Sequence, residues 1–253
     1  MVPLVEIIFL GTNGWYDSKA GNTISILVKT NNFSIVLDAG NGISKLSDCV
    51  DNTKPVFLFI SHYHLDHIEG LHTLVKNKGL KSLTIMVQDG SKPILQNFLK
   101  QPYTVPMEEL PYPSELLELP KDSGRLPFKQ IVLPMLHASD TIGIRMELEG
   151  KTITYCPDTG YCKNAVLLSE YADLLITECA FPPGITNDSW PHLNPELAAR
   201  IAKESNAKKL YLTHFDAARY TNLASRKKAV KCARKIFPNS FLSVDGTRIK
   251  VIK

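Results

Sequence analysis

The segment His62-Tyr63-His64-Leu65-Asp66-His67 carries the strongest structural signal in this chain, with three imidazoles and one carboxylate in six residues. It directly follows the apolar run Val56 to Ile60, which predicts a buried strand. A turn leaving a buried strand is held rigidly enough to aim several side chains at one point. Neutral imidazole nitrogens and carboxylate oxygens are ligands for zinc and similar metals. The segment therefore predicts a metal site at the end of a strand.

Three further residues of the same kinds, His137, Asp158 and His214, each come just after another apolar run. Taken singly, a histidine or aspartate at a strand end is more often a capping or turn residue than a ligand. Taken with the cluster, they make five histidines and two aspartates, which is enough for two metal ions that share a carboxylate and a water. His72 lies outside this pattern and is interpreted as an ordinary helix residue.

The composition is that of a globular protein, with 253 residues of which 44% are hydrophobic and 21% charged. We expect no membrane span, because no run approaches the roughly 18 to 20 uncharged apolar residues that a spanning helix needs. We also expect no secretory signal, since the first apolar run contains Glu6 and has no basic start. The five cysteines are widely spaced and form no C-x-x-C pair, which argues against a disulfide framework and favours the cytoplasm.

Charge is distributed unevenly along the chain. Residues 1–199 hold 15 Lys/Arg and 22 Asp/Glu, whereas residues 200–253, the basic C-terminal region, hold 14 and 3. Its basic run could attract a polyanion such as RNA. The simpler interpretation, which we favour, is the solvated face of a terminal helix that turns Val230, Ala233 and Ile236 inward. The basic run consists of Arg226, Lys227, Lys228, Lys231, Arg234 and Lys235.

Strand and helix patterns alternate in two rounds, which predicts sheet layers flanked by helices. Asn194-Pro195-Glu196 predicts a helix start, with Asn as the cap and Pro at the first helical position. The proline-rich segment 101–124 is interpreted as a loop over or beside the site. The predicted strands are 6–10, 23–29, 34–38, 56–60, 83–87, 130–134, 142–148, 152–156, 174–177 and 209–213, and the predicted helices are 93–99, 194–204 and one near 226–236.

The ordered series Asp38, His62-x-His64-x-Asp66-His67, His137, Asp158 and His214 resembles the five motifs of the metallo-β-lactamase fold superfamily, over essentially the whole chain. The resemblance implies an α/β (α+β) fold, a four-layer αββα sandwich formed by one domain over residues 1–253. It further implies a dinuclear site at one edge, between the two sheets.

The resemblance also implies a role for each residue of the series. His62, His64 and His137 would bind the first metal, and Asp66, His67 and His214 the second. Asp158 would bridge the two metals, and Asp38 would orient a ligand from outside the coordination sphere. The expected cofactors are two divalent ions, with zinc favoured and manganese or iron chemically admissible.

Within the superfamily, the chain is most similar to ribonuclease Z, the endonuclease that trims tRNA 3′ ends, and to its small phosphodiesterase relatives. The flavin-linked di-iron members usually have glutamate where this chain has His64, which disfavours a redox role. In ribonuclease Z a glutamate and a later histidine pair near the leaving group, and the resemblance implies that Glu178 and His192 are the corresponding residues here. The similarity rests on Phe9-Leu10-Gly11-Thr12, Ile176-Thr177-Glu178-Cys179-Ala180-Phe181, His192-Leu193-Asn194, Leu212-Thr213-His214-Phe215 and Ala218-Arg219-Tyr220.

The implied function is a phosphodiesterase in which a metal-bridging hydroxide attacks phosphorus and His192, paired with Glu178, protonates the leaving group. Asp66 would serve both as a ligand and in catalysis. The alternative for the pair is a purely structural role, in which His192 packs at a helix start while Glu178 caps a turn.

The sequence departs from ribonuclease Z in ways that bear on the substrate. His137 and Asp158 are only 21 residues apart, so the long arm that grips the tRNA elbow has no place between them. The early P-x-K-x-R-N loop becomes Asp17-Ser18-Lys19-Ala20-Gly21-Asn22, without its Pro and Arg. These differences favour a small phosphodiester, such as a cyclic nucleotide, or a short RNA 3′ end.

Two alternatives stay open at the level of sequence. The same site could hydrolyse a carboxylic ester, lactone or thioester, because the metals activate water for attack on a carbonyl equally well. The chain could also be a non-catalytic metal-binding scaffold that contacts a partner through its basic C-terminal region. Dimers are common in the family, and the sequence leaves the oligomeric state open.

Overall fold

The computed structural model describes residues 5–251, and within that range the strands form two large sheets and one small one. The seven-stranded sheet has the order β15-β1-β3-β4-β5-β6-β7, and the six-stranded sheet has the order β14-β12-β11-β10-β9-β8. The strands are β1 Val5–Gly11, β2 Asn13–Gly14, β3 Ser25–Lys29, β4 Ser34–Leu37, β5 Val56–Phe59, β6 Leu83–Gln88, β7 Ser114–Leu119, β8 Lys129–Pro134, β9 Ile142–Leu148, β10 Lys151–Cys156, β11 Leu174–Glu178, β12 Leu210–Thr213, β13 Phe215–Asp216, β14 Ser240–Leu242 and β15 Arg248–Val251.

Helical segments cover the outer faces of both sheets. None of the helices in the described range is long and apolar enough to cross a membrane. The α-helices are α1 Leu65–Ile68, α2 Lys92–Phe98, α3 Lys163–Leu168, α4 Pro195–Glu204 and α5 Leu223–Ala233, and the 3-10 helices are Asn41–Asp48, Glu69–Lys76, Met107–Glu109 and Ser123–Arg125.

Three apolar cores separate the four layers. The central core lies between the two sheets, where Ile26 and Ile35 of the first sheet join Ile144 and Ile153 of the second. A second core packs the outer face of the first sheet against α2 and the 3-10 helices Asn41–Asp48 and Glu69–Lys76. A third packs the outer face of the second sheet against α3, α4 and α5. The predicted αββα sandwich is confirmed, whereas the domain boundary 1–253 stays a prediction because residues 1–4 and 252–253 lie outside the described part.

The predicted loop over residues 101–124 is wrong in part. Ser114–Leu119 forms β7, which pairs in parallel with β6 at the edge of the first sheet. Pro113 and Pro120 bracket this strand; prolines are tolerated there because an edge strand has one unpaired side. The segment also contributes no residue to the lining of the cleft described below.

Parallel pairing brings the functional residues to one edge of the sandwich. Strand β5 pairs in parallel with β4 and β6, and strands β10, β11 and β12 are mutually parallel. Strand β8 runs in the same direction as β10 because both are antiparallel to β9. The carboxyl ends of parallel strands meet at one edge, so residues that follow β5, β8, β10 and β12 converge.

The basic C-terminal region is only partly the exposed surface that the charge count predicted. Helix α5 turns Val230 and Ala233 inward as expected, and Lys227 is exposed. Arg226, however, is fully buried. Its guanidinium donates to Thr12 Oγ1 at 3.0 Å and to Asn13 Oδ1, and it lies 4.9 Å from the centre of the Phe215 ring. Arg226 is therefore a structural residue that holds the turn after β1.

Replacing Arg226 by Met should lower the free energy of unfolding by about 2–3 kcal/mol, because two buried acceptors lose hydrogen bonds to a charged donor. Urea unfolding followed by circular dichroism measures this change. Lys227→Met is the matched control, since it removes the same charge from an exposed position in the same helix and should change stability by less than about 0.5 kcal/mol. Equal stability of the two variants would contradict the structural role of Arg226.

Candidate metal centre

The first group of potential ligands is formed by His62, His64, His137 and Asp158, with one ligand atom from each residue lying within 4.8 Å of all the others. Nε2 of His62 lies 3.0 Å from Nδ1 of His64, and Nε2 of His137 lies 3.3 Å from the same atom. His62 and Asp158 are buried, and His64 and His137 are partly buried. These are the residues that the resemblance assigned to the first metal and to the bridge.

Asp66, His67 and His214 form the second group, again within 4.8 Å, and all three are buried. Nε2 of His214 lies 3.1 Å from Nε2 of His67 and 3.2 Å from Oδ2 of Asp66. The main-chain N–H of Trp15 donates to the same Oδ2 at 2.6 Å, which fixes the carboxylate. The structure thus places all seven predicted ligands in two adjoining groups.

Asp158 stands between the two groups. Its Oδ2 lies 3.9 Å from His62 Nε2 and 3.7 Å from His137 Nε2, on the side of the first group. Its Oδ1 lies 3.1 Å from His214 Nε2 and 3.2 Å from His67 Nε2, on the side of the second. Neither contact of Oδ1 has hydrogen-bond geometry, so this buried oxygen has no hydrogen-bond partner among the described residues. Such an orphaned oxygen fits a carboxylate that a bound cation would satisfy.

Three of the histidines, His62, His67 and His137, have their outer nitrogens occupied in a way that leaves the inner ones free to bind metal. His67 donates from Nδ1 to Asp38 Oδ2 at 2.8 Å, and His137 donates from Nδ1 to the Pro191 carbonyl at 3.4 Å. His62 Nδ1 lies 3.0 Å from Ser61 Oγ, which itself donates to Asp38 Oδ2 at 2.9 Å. Each of these rings therefore directs the lone pair of Nε2 into the site, as metal ligation requires. The donor set fits divalent cations of the zinc type.

Burial keeps the three histidines of the first group in their neutral form. It lowers the pKa of His62 well below the usual value, and it lowers the pKa of His137 to about 4. Burial is also the main reason that the pKa of His64 is lowered. A neutral imidazole is the form that binds a metal, because protonation would block the lone pair.

The second group has the opposite electrostatics. Burial acts to lower the pKa of His67 and His214, but Asp158 and the neighbouring carboxylates outweigh it and raise both pKa values. Burial likewise acts to raise the pKa of Asp158, but His214 and His67 outweigh it and lower that pKa well below the usual value. The carboxylates therefore stabilise positive charge at this point, which is the electrostatic requirement for a cation.

Asp38 lies behind the second group, fully buried at the end of β4 with a left-handed backbone (φ 58°) that aspartate tolerates. Besides His67 and Ser61 Oγ, it accepts from Ser61 N–H at 2.8 Å and from the Tyr155 hydroxyl at 2.7 Å. The sequence predicts the role of Asp38 but not those of Ser61 and Tyr155. No sequence signal marks these two hydroxyls, because their role depends on how the two sheets meet.

A third cluster adjoins the first two. Nδ1 of His192 lies 2.7 Å from Oε1 of Glu178 and 4.0 Å from Oδ2 of Asp158. Glu178 also accepts from the N–H groups of Thr159 and Ala180, at 2.7 and 3.0 Å, so its carboxylate is fixed. Burial alone would lower the pKa of His192, but the Glu178 carboxylate outweighs it and raises the pKa to about 9. His192 is thus held close to the ligand groups in its protonated form.

Two local features of the chain position this third cluster. Glu178 ends β11, beside the β10 strand that leads to Asp158. His192 precedes α4, whose cap Asn194 accepts from the N–H of Leu197 at 2.9 Å, as the sequence predicted. His72, by contrast, is exposed and lies in a 3-10 helix outside the site.

The three clusters open into a cleft of about 630 Å³. Gly14 stands at its wall, where a Cβ atom would come within 2.4 Å of the His214 ring, so a larger residue cannot be accommodated without movement. The cleft is wide enough for a small phosphodiester or a chain end. It is lined by Gly14, Trp15, His64, Leu65, Asp66, Glu69, Asp158, Ala180, Phe181, Asn187, Trp190, His192, His214, Asp216 and Arg219.

The segment between His137 and Asp158 leaves no room for an arm of the kind that grips the tRNA elbow in ribonuclease Z. These residues are joined through the hairpin of β9 and β10, whose strands pair directly from Lys151 and Leu148 onward. The site is therefore reached without a projecting domain at this position.

An αββα sandwich with two histidine–carboxylate groups at one sheet edge defines the metallo-β-lactamase class of fold, and comparisons with known proteins agree. A family model described as beta-lactamase superfamily domain matches residues 34–215. The chain belongs to this superfamily.

The relatives span nearly the whole chain. This chain is 29% identical over 220 residues to the probable metallo-hydrolase YhfI of Bacillus subtilis, and the match covers 83% of this chain and 87% of the relative. It is 26% identical over 292 residues to ribonuclease Z of Metallosphaera sedula, covering 96% and 97%.

Solved structures show the same fold. The crystal structure of YhfI from Bacillus subtilis superposes with a TM-score of 0.79 at 26% identity, covering 98% of this chain and 99% of that one. The short form of human tRNase Z superposes with a TM-score of 0.73 at 20% identity, covering 96% and 98%. The predicted membership of this superfamily is therefore confirmed.

Proposed function

We propose that this chain is a dinuclear metal-dependent phosphodiesterase of the ribonuclease Z type. The observation that carries the proposal is the His192–Glu178 pair, 2.7 Å apart and adjoining Asp158, because hydrolysis of an unactivated phosphodiester needs a proton donor for the departing alkoxide. The similarity to ribonuclease Z sequences over nearly the full chain supports it.

The proposal assigns one cation to each ligand group. His62, His64 and His137 would hold the first, and Asp66, His67 and His214 would hold the second. Asp158, which faces both groups, would serve both cations. We propose zinc for both, because neutral imidazole and carboxylate form a donor set that zinc prefers, with manganese and iron as chemically admissible substitutes.

Each residue of the centre has a separate role in the proposed reaction. When bound, two divalent cations supply a water nucleophile at neutral pH and neutralise the charge of the phosphoryl oxygens. Asp66 and Asp158 balance the charge of the site and fix its geometry. His192 holds the proton that the leaving oxygen takes, and Glu178 orients the ring and keeps it protonated. Asp38 fixes His67 through the hydrogen bond to its outer nitrogen.

The reaction class is tested by side-by-side turnover of bis(4-nitrophenyl) phosphate and 4-nitrophenyl acetate by the zinc-loaded protein. We expect the diester to be turned over more efficiently than the carboxylic ester, since two bound cations would neutralise the charged phosphoryl oxygens that the ester lacks. Preference for the ester would favour the carboxylic ester, lactone or thioester hydrolase. Silence on both, with metal bound, would favour the non-catalytic scaffold.

The natural substrate in this proposal is a small phosphodiester or a short RNA 3′ end, because no arm projects between His137 and Asp158. Turnover of 2′,3′-cyclic and 3′,5′-cyclic nucleotides is compared with processing of a precursor tRNA and of a short RNA bearing the same 3′ end. Equal rates on the short RNA and the precursor tRNA would support a site that contacts only the chain end.

We propose that the exposed lysines of α5 contact RNA phosphates without selecting a sequence. Gel retardation of a short single-stranded RNA should weaken steeply between low and high salt. Replacing Lys227 and Lys228 together by Gln should make the salt slope shallower by about 1.4, which corresponds to two lost phosphate contacts. Lys78 and Lys81 provide the matched double variant on another exposed surface, and an equal effect of both pairs would show that only net charge matters.

A further inference from the structure

Both tryptophans of the chain lie in the cleft. They are Trp15 and Trp190, and the chain has no others. Both residues line the cleft, and their side chains are 67% and 47% exposed. Leu65, which is 66% exposed, lies in the same lining. Large apolar surface that gathers at a concave site marks a place where a ligand binds. The metal-binding and acid–base roles described above use neither tryptophan side chain.

The two tryptophans are associated with different ligand groups. The Trp190 ring stacks on the His64 ring of the first group, with centroids 5.7 Å apart and planes inclined by 11°. It also lies 6.4 Å from the His192 ring, the proposed proton donor. Trp15 instead lies beside the second group, because its main-chain N–H donates to Asp66 and the residue lines the cleft there. A phosphodiester placed at the two groups therefore has one indole on the side of the leaving group and the other at the second group.

A fixed cation completes the lining. Arg219 donates from Nε to Asp216 at 2.9 Å, and its guanidinium carbon lies 4.8 Å from the centre of the Phe181 ring. Within residues 5–251, no residue accepts from its other two nitrogens. A guanidinium held in this way presents a ready pair of donors to a phosphate oxygen.

We propose that the cleft binds a phosphodiester between two nucleosides, with both bases stacked on tryptophan. The base of the nucleoside that leaves as an alcohol stacks on Trp190, the other base stacks on Trp15, and Arg219 contacts a phosphate oxygen. The inference rests on the proposed phosphodiesterase function and specifies its substrate class. Every base has a π-face, so recognition of this kind tolerates any sequence.

Intrinsic fluorescence tests stacking without turnover. Adenosine monophosphate should quench the tryptophan emission of the zinc-loaded protein and bind at least about tenfold more tightly than ribose 5-phosphate, which has no base. Trp15→Phe and Trp190→Phe leave one reporter each and show which indole is quenched. Equal binding of the two phosphates, or no quenching of either tryptophan, would overturn the proposal.

Turnover assigns the two sides. Three dinucleotides are compared: the intact compound, one that is abasic on the leaving side and one that is abasic on the other side. The parent protein should discriminate against each abasic compound by about tenfold in kcat/KM. Trp190→Ala should abolish only the first discrimination and Trp15→Ala only the second, whereas the phenylalanine variants should retain part of both.

Tyr103→Ala is the matched control, because this aromatic side chain is 68% exposed and lies outside the cleft lining. It should change neither binding nor discrimination. Arg219→Gln should weaken adenosine monophosphate and ribose 5-phosphate alike, by about tenfold. Normal turnover of bis(4-nitrophenyl) phosphate without base discrimination would overturn the stacking proposal alone, whereas no turnover of any diester would overturn the proposed function.

Discussion

Replacing Asp158 by Ala will abolish phosphodiester turnover and remove metal from the protein. This carboxylate faces both ligand groups, with one oxygen 3.1 Å from His214 Nε2 and the other 3.7 Å from His137 Nε2. Its loss leaves only imidazoles in the first group and removes the link between the two. We expect metal affinity to fall by more than about 100-fold, since even partners outside the coordination sphere account for 10- to 100-fold. Elemental analysis after dialysis measures the loss.

His64→Ala should have the same effect, because it deletes the nitrogen that His62 and His137 both face. His72→Ala is the control, since this histidine is exposed and lies outside the site. It should retain two equivalents of metal and full turnover. An Asp158→Ala protein that keeps both equivalents and still cleaves diesters would contradict the ligand assignment.

Replacing His192 by Ala will leave the metal content unchanged but slow the cleavage of diesters with poor leaving groups by about 10²- to 10⁴-fold. An alkoxide needs a proton as it departs, whereas nitrophenolate is stable without one. Turnover of bis(4-nitrophenyl) phosphate should therefore fall by less than about tenfold. The measurement is kcat on a dinucleotide and on the nitrophenyl diester, with metal content determined in parallel. Equal activity of parent and variant on the dinucleotide would remove the proton-donor assignment.

Glu178→Gln separates the positioning of His192 from its chemistry. The Glu178 carboxylate raises the pKa of His192 to about 9, against the effect of burial, so the protonated form persists at neutral pH. Dinucleotide cleavage should thus decline as the pH rises through that pKa. Without the carboxylate the pKa falls, and the alkaline limb of the pH profile should move to lower pH. An unchanged profile would show that Glu178 only supports the fold.

Much of the centre could be predicted because its ligands stand at strand ends. The cluster from His62 to His67 is unmistakable in sequence, and His137, Asp158 and His214 follow runs whose strand character is clear from their apolar residues. The partners of Asp38 could not be predicted in the same way. Tyr155 lies 117 residues away in the other sheet, and nothing in its local sequence distinguishes it from a core tyrosine.

The fold could be predicted to a similar extent. The errors fall where the local sequence favours a different structure from the one that distant residues impose. Strand β7 lies between two prolines, which locally favour a loop, and it forms only because β6 offers a free edge. Arg226 belongs to a run of basic residues that all appear solvent-facing in sequence. Its burial depends on acceptors supplied by Thr12 and Asn13, more than 200 residues earlier.

The hydrogen bond from Tyr155 to Asp38 has a consequence for how the chain assembles. It joins strand β10 of one sheet to the residue after β4 of the other, and the candidate ligands are likewise divided between the halves of the molecule. Neither half of the molecule supplies a full ligand set until the two halves pack together. Cations that bind at the centre therefore stabilise the native state alone. The free energy of unfolding should then rise with free zinc, by about 2.7 kcal/mol for each site at 100 times its dissociation constant.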